Sequence, residues 1–168
     1  MEAILGVNIG GHLSRLECEY DLIHKERPAF SDPLSRNVRY KVKDIETEFW
    51  LRFVESNRQA VERGDYDAIV SFFQSGEAEW NHIALKRYFS QKMREETSFQ
   101  HVCGWWKDDC QMDIVAWSDN RKRALVADVF PSEAAFNGED FHKKVNSFKL
   151  MSGRASGIDP RYLTPGDM

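Results

Sequence analysis

Asp113 and Asp128 are the residues through which this sequence could do chemistry. They stand near the two ends of QMDIVAWSDNRKRALVADVF, residues 111–130, a stretch that reads as two short strands around a polar turn. Acids at matching ends of paired strands can fix one or two Mg²⁺ ions in an octahedral oxygen shell. The metal lowers the pKa of a bound water and neutralises the charge that develops as a phosphodiester is cut. Such sites usually carry a lysine two residues after the second acid, where strand alternation puts both on one face and the cation stabilises the same charge. Here that place holds Phe130. The stretch outlines a metal-dependent nuclease site with a part missing.

The elements that would position these acids follow from periodicity. Ile9, Leu13, Leu16 and Tyr20 share one helical face. Leu22 and Ile23 open a strand, residues 28–37 read as loop, and Val38, Tyr40 and Val42 alternate with Arg39 and Lys41 as a second strand. Helix, strand, loop, strand is the second half of a winged helix. Its first helices are absent, so the chain reads as starting partway into a module, as a truncated or split gene would leave it. Asp44, or alternatively Thr47, suits an N-cap for a helix with Ile45, Phe49, Phe53 and Val54 on one face and Gly64 as its stop. A short apolar helix over 66–74 is separated by Gly76 from a longer one, striped by Trp80, Ala84 and Tyr88 beside Leu85, Phe89 and Met93. From residue 98 the pattern turns to strands: FQHVCGWW, QMDIVAW and ALVADVF. A helix from Gly138 with Phe141, Val145 and Phe148 in register follows, then a Gly/Pro-rich end with a short terminal strand.

Composition bounds the function. The chain has 168 residues, 42% hydrophobic and 30% charged, with a formal net charge of −4. That supports a real core and argues against a generally basic nucleic-acid binder. No apolar run approaches the ~20 residues of a membrane helix, and no signal-peptide pattern opens the chain, so no membrane partner is expected. Three cysteines are too few and too odd in number for a disulfide framework, which makes a reducing cytoplasm the expected location. No G-x-x-x-x-G-K-[ST] run exists, so the chain alone should not bind ATP.

Five segments carry a resemblance: GGHLSRLECEYDLIHKERPAF, RNVRYKVKDIETEFWLRFV, ALKRYF, GWWKDDCQMDIVA and the terminal DM. Together they resemble the C-terminal region of bacterial and archaeal AAA-type ATPases, in which a winged helix precedes a PD-(D/E)XK restriction-endonuclease-like domain. The resemblance covers nearly the whole chain. It implies an α/β (α+β) fold: a partial winged helix over 1–44, a helical connector over 45–78, and a restriction-endonuclease-like mixed sheet flanked by helices over 79–168. It also implies catalytic and metal-binding roles for Asp113 and Asp128. The departures run against that role. Gln111 replaces an acid two residues before Asp113, Asp128 is one methylene shorter than the family's glutamate, and Phe130 replaces the lysine. Lys86, in LKRYF, stands where a glutamate often sits. Each change weakens Mg²⁺ binding or water activation. Lys122, Lys143 and Lys144 are candidates for a migrated lysine, and the residues do not select among them.

Other constellations have competing readings. His101, Cys103 and Cys110 could ligate zinc, but their spacing matches no short paired zinc pattern, and core packing explains them better. The run Asn120–Arg123, with Arg121, Lys122 and Arg123, could touch phosphate, as could Arg36, Arg39 and Lys41 on the wing and His12, Ser14 and Arg15 on the helix. Solvated faces account for the same charges. Trp105 and Trp106 could stack on a base, although one of two consecutive strand residues must face a core. The expected function is that of a C-terminal, non-ATP-binding region whose degenerate nuclease-like domain binds DNA, an ATPase core or a second copy of itself, without a cofactor. One alternative is an active Mg²⁺-dependent endonuclease with a migrated lysine. Another is a truncated interaction or oligomerisation module with no nucleic-acid role.

Overall fold

The computed structural model describes residues 9–96, 98–119, 123–153 and 157–168. The chain divides into two compact units, one taking in the described residues up to Glu26 with Val38–Phe73, the other Arg27–Asn37 with Gln74–Met168.

In the first unit, helix α1 (Gly10–Cys18) leads into an antiparallel hairpin of β1 (Ile23–Glu26) and β2 (Arg39–Val42), with Ile23 opposite Val42. Asp44 caps α2 (Ile45–Phe49) by accepting the Thr47 N–H at 2.5 Å. The helical run continues through a π-helical stretch over Trp50–Val54 and a 3₁₀ turn to α3 (Arg58–Arg63). It stops at Gly64, whose φ of 69° is the left-handed conformation that a Cβ would strain. The unit's core is aromatic: Phe53 is buried against Phe49 and Phe73, each at 5.1 Å between ring centroids.

Gly76 does not divide the next region. Tyr66–Glu95 is one α-helix of 30 residues, α4. A helical glycine costs about 1 kcal/mol relative to alanine, too little to end a helix whose later turns are held by packing.

The second unit is a four-stranded sheet ordered β3-β4-β5-β6, formed by His101–Lys107, Cys110–Trp117, Ala124–Val129 and Ile158–Leu163. The first three strands form an antiparallel meander. After β5 the chain crosses through α5 (Gly138–Ser152), and β6 then pairs parallel with β5. Asn137 caps α5 by accepting the Glu139 and Asp140 N–H groups. All six residues of β5 are buried, as suits a central strand covered on both faces. Leu125, Ala127 and Val129 pack with Ile114 and Ala116 against Leu85, Phe89 and Met93 of α4. Val126 and Val115 pack with Met112 and Trp105 against Phe141, Val145 and Phe148 of α5. The fold is thus mixed α/β, with a four-stranded sheet flanked by helices in the second unit and a small antiparallel hairpin in the first.

Met112 and Val115 lie on the same face although three residues apart. The cause is a β-bulge: Cys103 pairs with Val115 and Trp105 with Met112, so Asp113 and Ile114 together oppose Gly104. Trp105 and Trp106 are both buried, as core packing requires; Trp106 donates from Nε1 to Asn37 at 2.8 Å, and Trp105 meets Phe148 edge-on. Phe148 is fully buried in that cluster. Phe148→Ala should therefore destabilise the protein by about 3–5 kcal/mol in urea unfolding.

Candidate functional site

The β4–β5 ladder makes its last backbone pairing at Ile114 and Ala127. Beyond it two buried amides need acceptors, and the acids supply them. The Asp113 N–H donates to Asp128 Oδ1 at 3.0 Å, and the Val129 N–H donates to Asp113 Oδ2 at 3.1 Å. The bulge places Asp113 where its side chain meets α4. Lys86 Nζ lies 2.9 Å from Asp113 Oδ1, and His82 Nε2, one turn earlier on the helix, lies 3.3 Å from the same oxygen. Asp128 meets α5 instead, where Lys144 Nζ donates to its Oδ2 at 2.5 Å. The acids are the dry part of the cluster, Asp113 being 7% and Asp128 2% exposed. The cationic side chains form its wetter rim, at 39% for His82, 26% for Lys86 and 43% for Lys144.

The groups perturb one another in opposite senses. Burial pushes the Asp113 carboxyl up, but the His82 hydrogen bond, the Lys86 and His82 charges and the Val129 N–H outweigh it and hold Asp113 well below the usual carboxylate range. For Asp128, burial dominates, and the Asp113 charge adds to it. Its carboxyl is raised despite Lys144. His82 is raised mainly by its hydrogen bond to Asp113, against burial. Burial works against the Lys144 ammonium, but Asp128 raises it on balance.

The site therefore unites Lys86, Asp113 and Asp128 with His82 and Lys144. His82 has a signal in the sequence, since it is four residues before Lys86 and hence on the same helical face. Phe130 lies apart from the ion pairs, edge-on to Phe136, which stacks on Tyr162. Gln111 is exposed. His101 pairs with Asp119 and stacks on Trp117, while Cys103 and Cys110 pack against the α5-side core. In the first unit Arg15 pairs with Glu19 and Lys41 with Glu26, and Arg39 is exposed on β2. His12 and Ser14 are exposed on α1. Arg36 and Arg123 are exposed in the second unit. Arg121 and Lys122 lie outside the described residues.

A hard dication needs carboxylate oxygens free to enter its shell. Here each carboxylate oxygen of Asp113 and Asp128 already accepts from an amide, a lysine or His82. No group of three His, Cys, Asp or Glu side chains among the described residues could hold a metal ion. Mg²⁺ at this place would have to share or displace donors already on all four oxygens. No helix among the described residues is long and apolar enough to cross a membrane.

Comparison with known proteins adds the following. The family model of DUF234, described as archaeal and bacterial proteins of unknown function, matches residues 50–134, a span that takes in His82, Lys86, Asp113 and Asp128. A curated protein of Methanocaldococcus jannaschii, "Uncharacterized protein MJECL04", is 26% identical over 120 residues, which cover 66% of this chain and 26% of that protein. The chain thus spans about a quarter of the length of the curated relative it matches. No solved structure matches.

Two outcomes follow from the geometry. The raised His82 pKa contributes stability that is complete below the unfolded value of about 6.5 and is lost as pH rises through the folded value. Its NMR titration midpoint should lie above 6.5 and fall in Asp113→Asn, which removes the main cause and leaves burial. Asp128→Ala strips the acceptor from a buried amide and should cost about 1–3 kcal/mol in urea unfolding. Asp128→Asn, which keeps an acceptor, should cost less.

Proposed function

This chain belongs to the DUF234 family, and we propose that it is the non-ATP-binding region of an AAA-type ATPase whose restriction-endonuclease-like unit is kept for binding nucleic acid or protein and does not cut. One observation carries the reading: the acids that would hold a catalytic metal are engaged by Lys86, His82, Lys144 and two backbone amides. A lysine does reach the acid pair from α5, but as the second of two ammonium groups at two carboxylates. Metal entry would have to displace them. The division proposed with it is a partial winged helix over 1–44, a helical connector over 45–78 and the nuclease-like domain over 79–168. The small share of the M. jannaschii relative that the chain matches accords with a region of a larger protein. An ATPase core or a second copy of the chain is the protein partner under this reading.

The test is direct. Supercoiled plasmid incubated with the protein and Mn²⁺ or Mg²⁺ should stay intact, as it does in EDTA. Nicking that needs the metal and disappears in Asp113→Asn would overturn the proposal.

A further inference from the structure

Resting on that reading, we propose that Lys86, Lys144 and His82 form a metal-independent site for a phosphate group of a nucleic-acid backbone. The two lysines come from different helices, yet they converge on acids that are themselves joined by the bond from the Asp113 N–H to Asp128 Oδ1. An ammonium group has three N–H donors. Among the described residues, Lys86 and Lys144 each commit one, to Asp113 and to Asp128. Two donors per lysine remain on side chains that reach solvent. His82 adds an imidazole beside Lys86, bonded to the same carboxylate oxygen. Two ammonium charges balance two carboxylates, and a protonated His82 leaves the cluster with one positive charge in excess.

The buried carboxylates also fix where the cations stand. A free lysine loses rotamer freedom when it binds an anion. Here that loss has been met on folding, so the ammonium groups are pre-organised for a further oxyanion. The cationic side chains are part-exposed. That geometry suits a phosphate presented by an extended strand, whereas a small phosphate ester would need a cavity closing around it. Each ammonium group is a point charge beside an acid, with N–H donors that can attract phosphate oxygens directly.

The experiment uses the whole chain and a short fluorescein-labelled DNA duplex, with fluorescence anisotropy read in EDTA over a series of NaCl concentrations. Binding is expected without metal. Lys86→Gln and Lys144→Gln should each weaken it by roughly threefold to tenfold and lower the slope of log affinity against log salt by about one. Lys86→Arg and Lys144→Arg, which keep charge and pairing, should retain binding. Inorganic phosphate should displace the duplex only at far higher concentration. Glutamine variants that fold, as judged by circular dichroism, and bind like the wild-type protein would overturn the site. So would inorganic phosphate binding in a protein that ignores DNA. Should the glutamine variants not fold, the wild-type His82 imidazole resonances decide: they must shift on saturation with duplex, and unmoved resonances overturn the proposal. Metal-dependent cleavage of the plasmid would instead count against the non-cutting reading, so the two failures are distinct.

Discussion

Two backbone amides at the place where β4 and β5 part company govern the second unit. The Asp113 and Val129 N–H groups lie beyond the last Ile114–Ala127 pairing, in the dry centre of the sheet. A buried amide without an acceptor costs about as much as a lost hydrogen bond. The chain answers with carboxylates, each acid accepting the amide on or beside the other. A carboxylate in such surroundings then needs a cation of its own. Lys86 and His82 must come from α4 on one face and Lys144 from α5 on the other. The placement of both helices is tied in this way to the closure of one ladder.

The bulge opposite Gly104 makes the arrangement asymmetric. It turns Asp113 toward α4, where two cationic side chains share one oxygen, while Asp128 keeps strand alternation and meets a single lysine. The acids are consequently driven apart in acidity, Asp113 down and Asp128 up. Three cationic side chains meet the two acids, and the lysines keep N–H groups beyond those they commit to the carboxylates. Phe130 fits the same arrangement, since it contributes to the aromatic group around Phe136 and adds no charge to the cluster.

Periodicity carried much of the fold. The hairpin strands, the Asp44 cap, the Gly64 stop, the meander and the helix from Gly138 were all legible because each is set by local spacing or capping, whereas the first helix ends at Cys18, short of Tyr20, and buries none of its residues. Gly76 misled because its cost is local whereas the packing that overrides it is tertiary. The bulge opposite Gly104 leaves no mark in a single strand's pattern, because it depends on what the neighbouring strand places opposite. At the site, Asp113 and Asp128 could be named from their types and order, and Lys86 only through the resemblance, as a departure from it. Lys144 could be named only as one of three candidates, since nothing in the spacing between β5 and α5 says which lysine a crossover will return to Asp128. His82 was one helical turn from Lys86 and readable in principle.

The charges in this cluster exceed what sheet closure requires. Asparagine at 113 and 128 could accept the same two amide protons without burying any charge, and two buried ion pairs are seldom more stable than a neutral replacement. Retaining carboxylates obliges the protein to hold ammonium groups against them, on side chains that are part-exposed while their counter-charges stay inside. The outcome is a fixed pair of cations with unused donors, backed by acids that solvent barely touches. A purely structural clamp gains nothing from that outward display, whereas an oxyanion arriving from solution meets donors already in position. The excess of charge over structural need is the physical reason for reading the cluster as a binding surface and for placing that surface at Lys86 and Lys144.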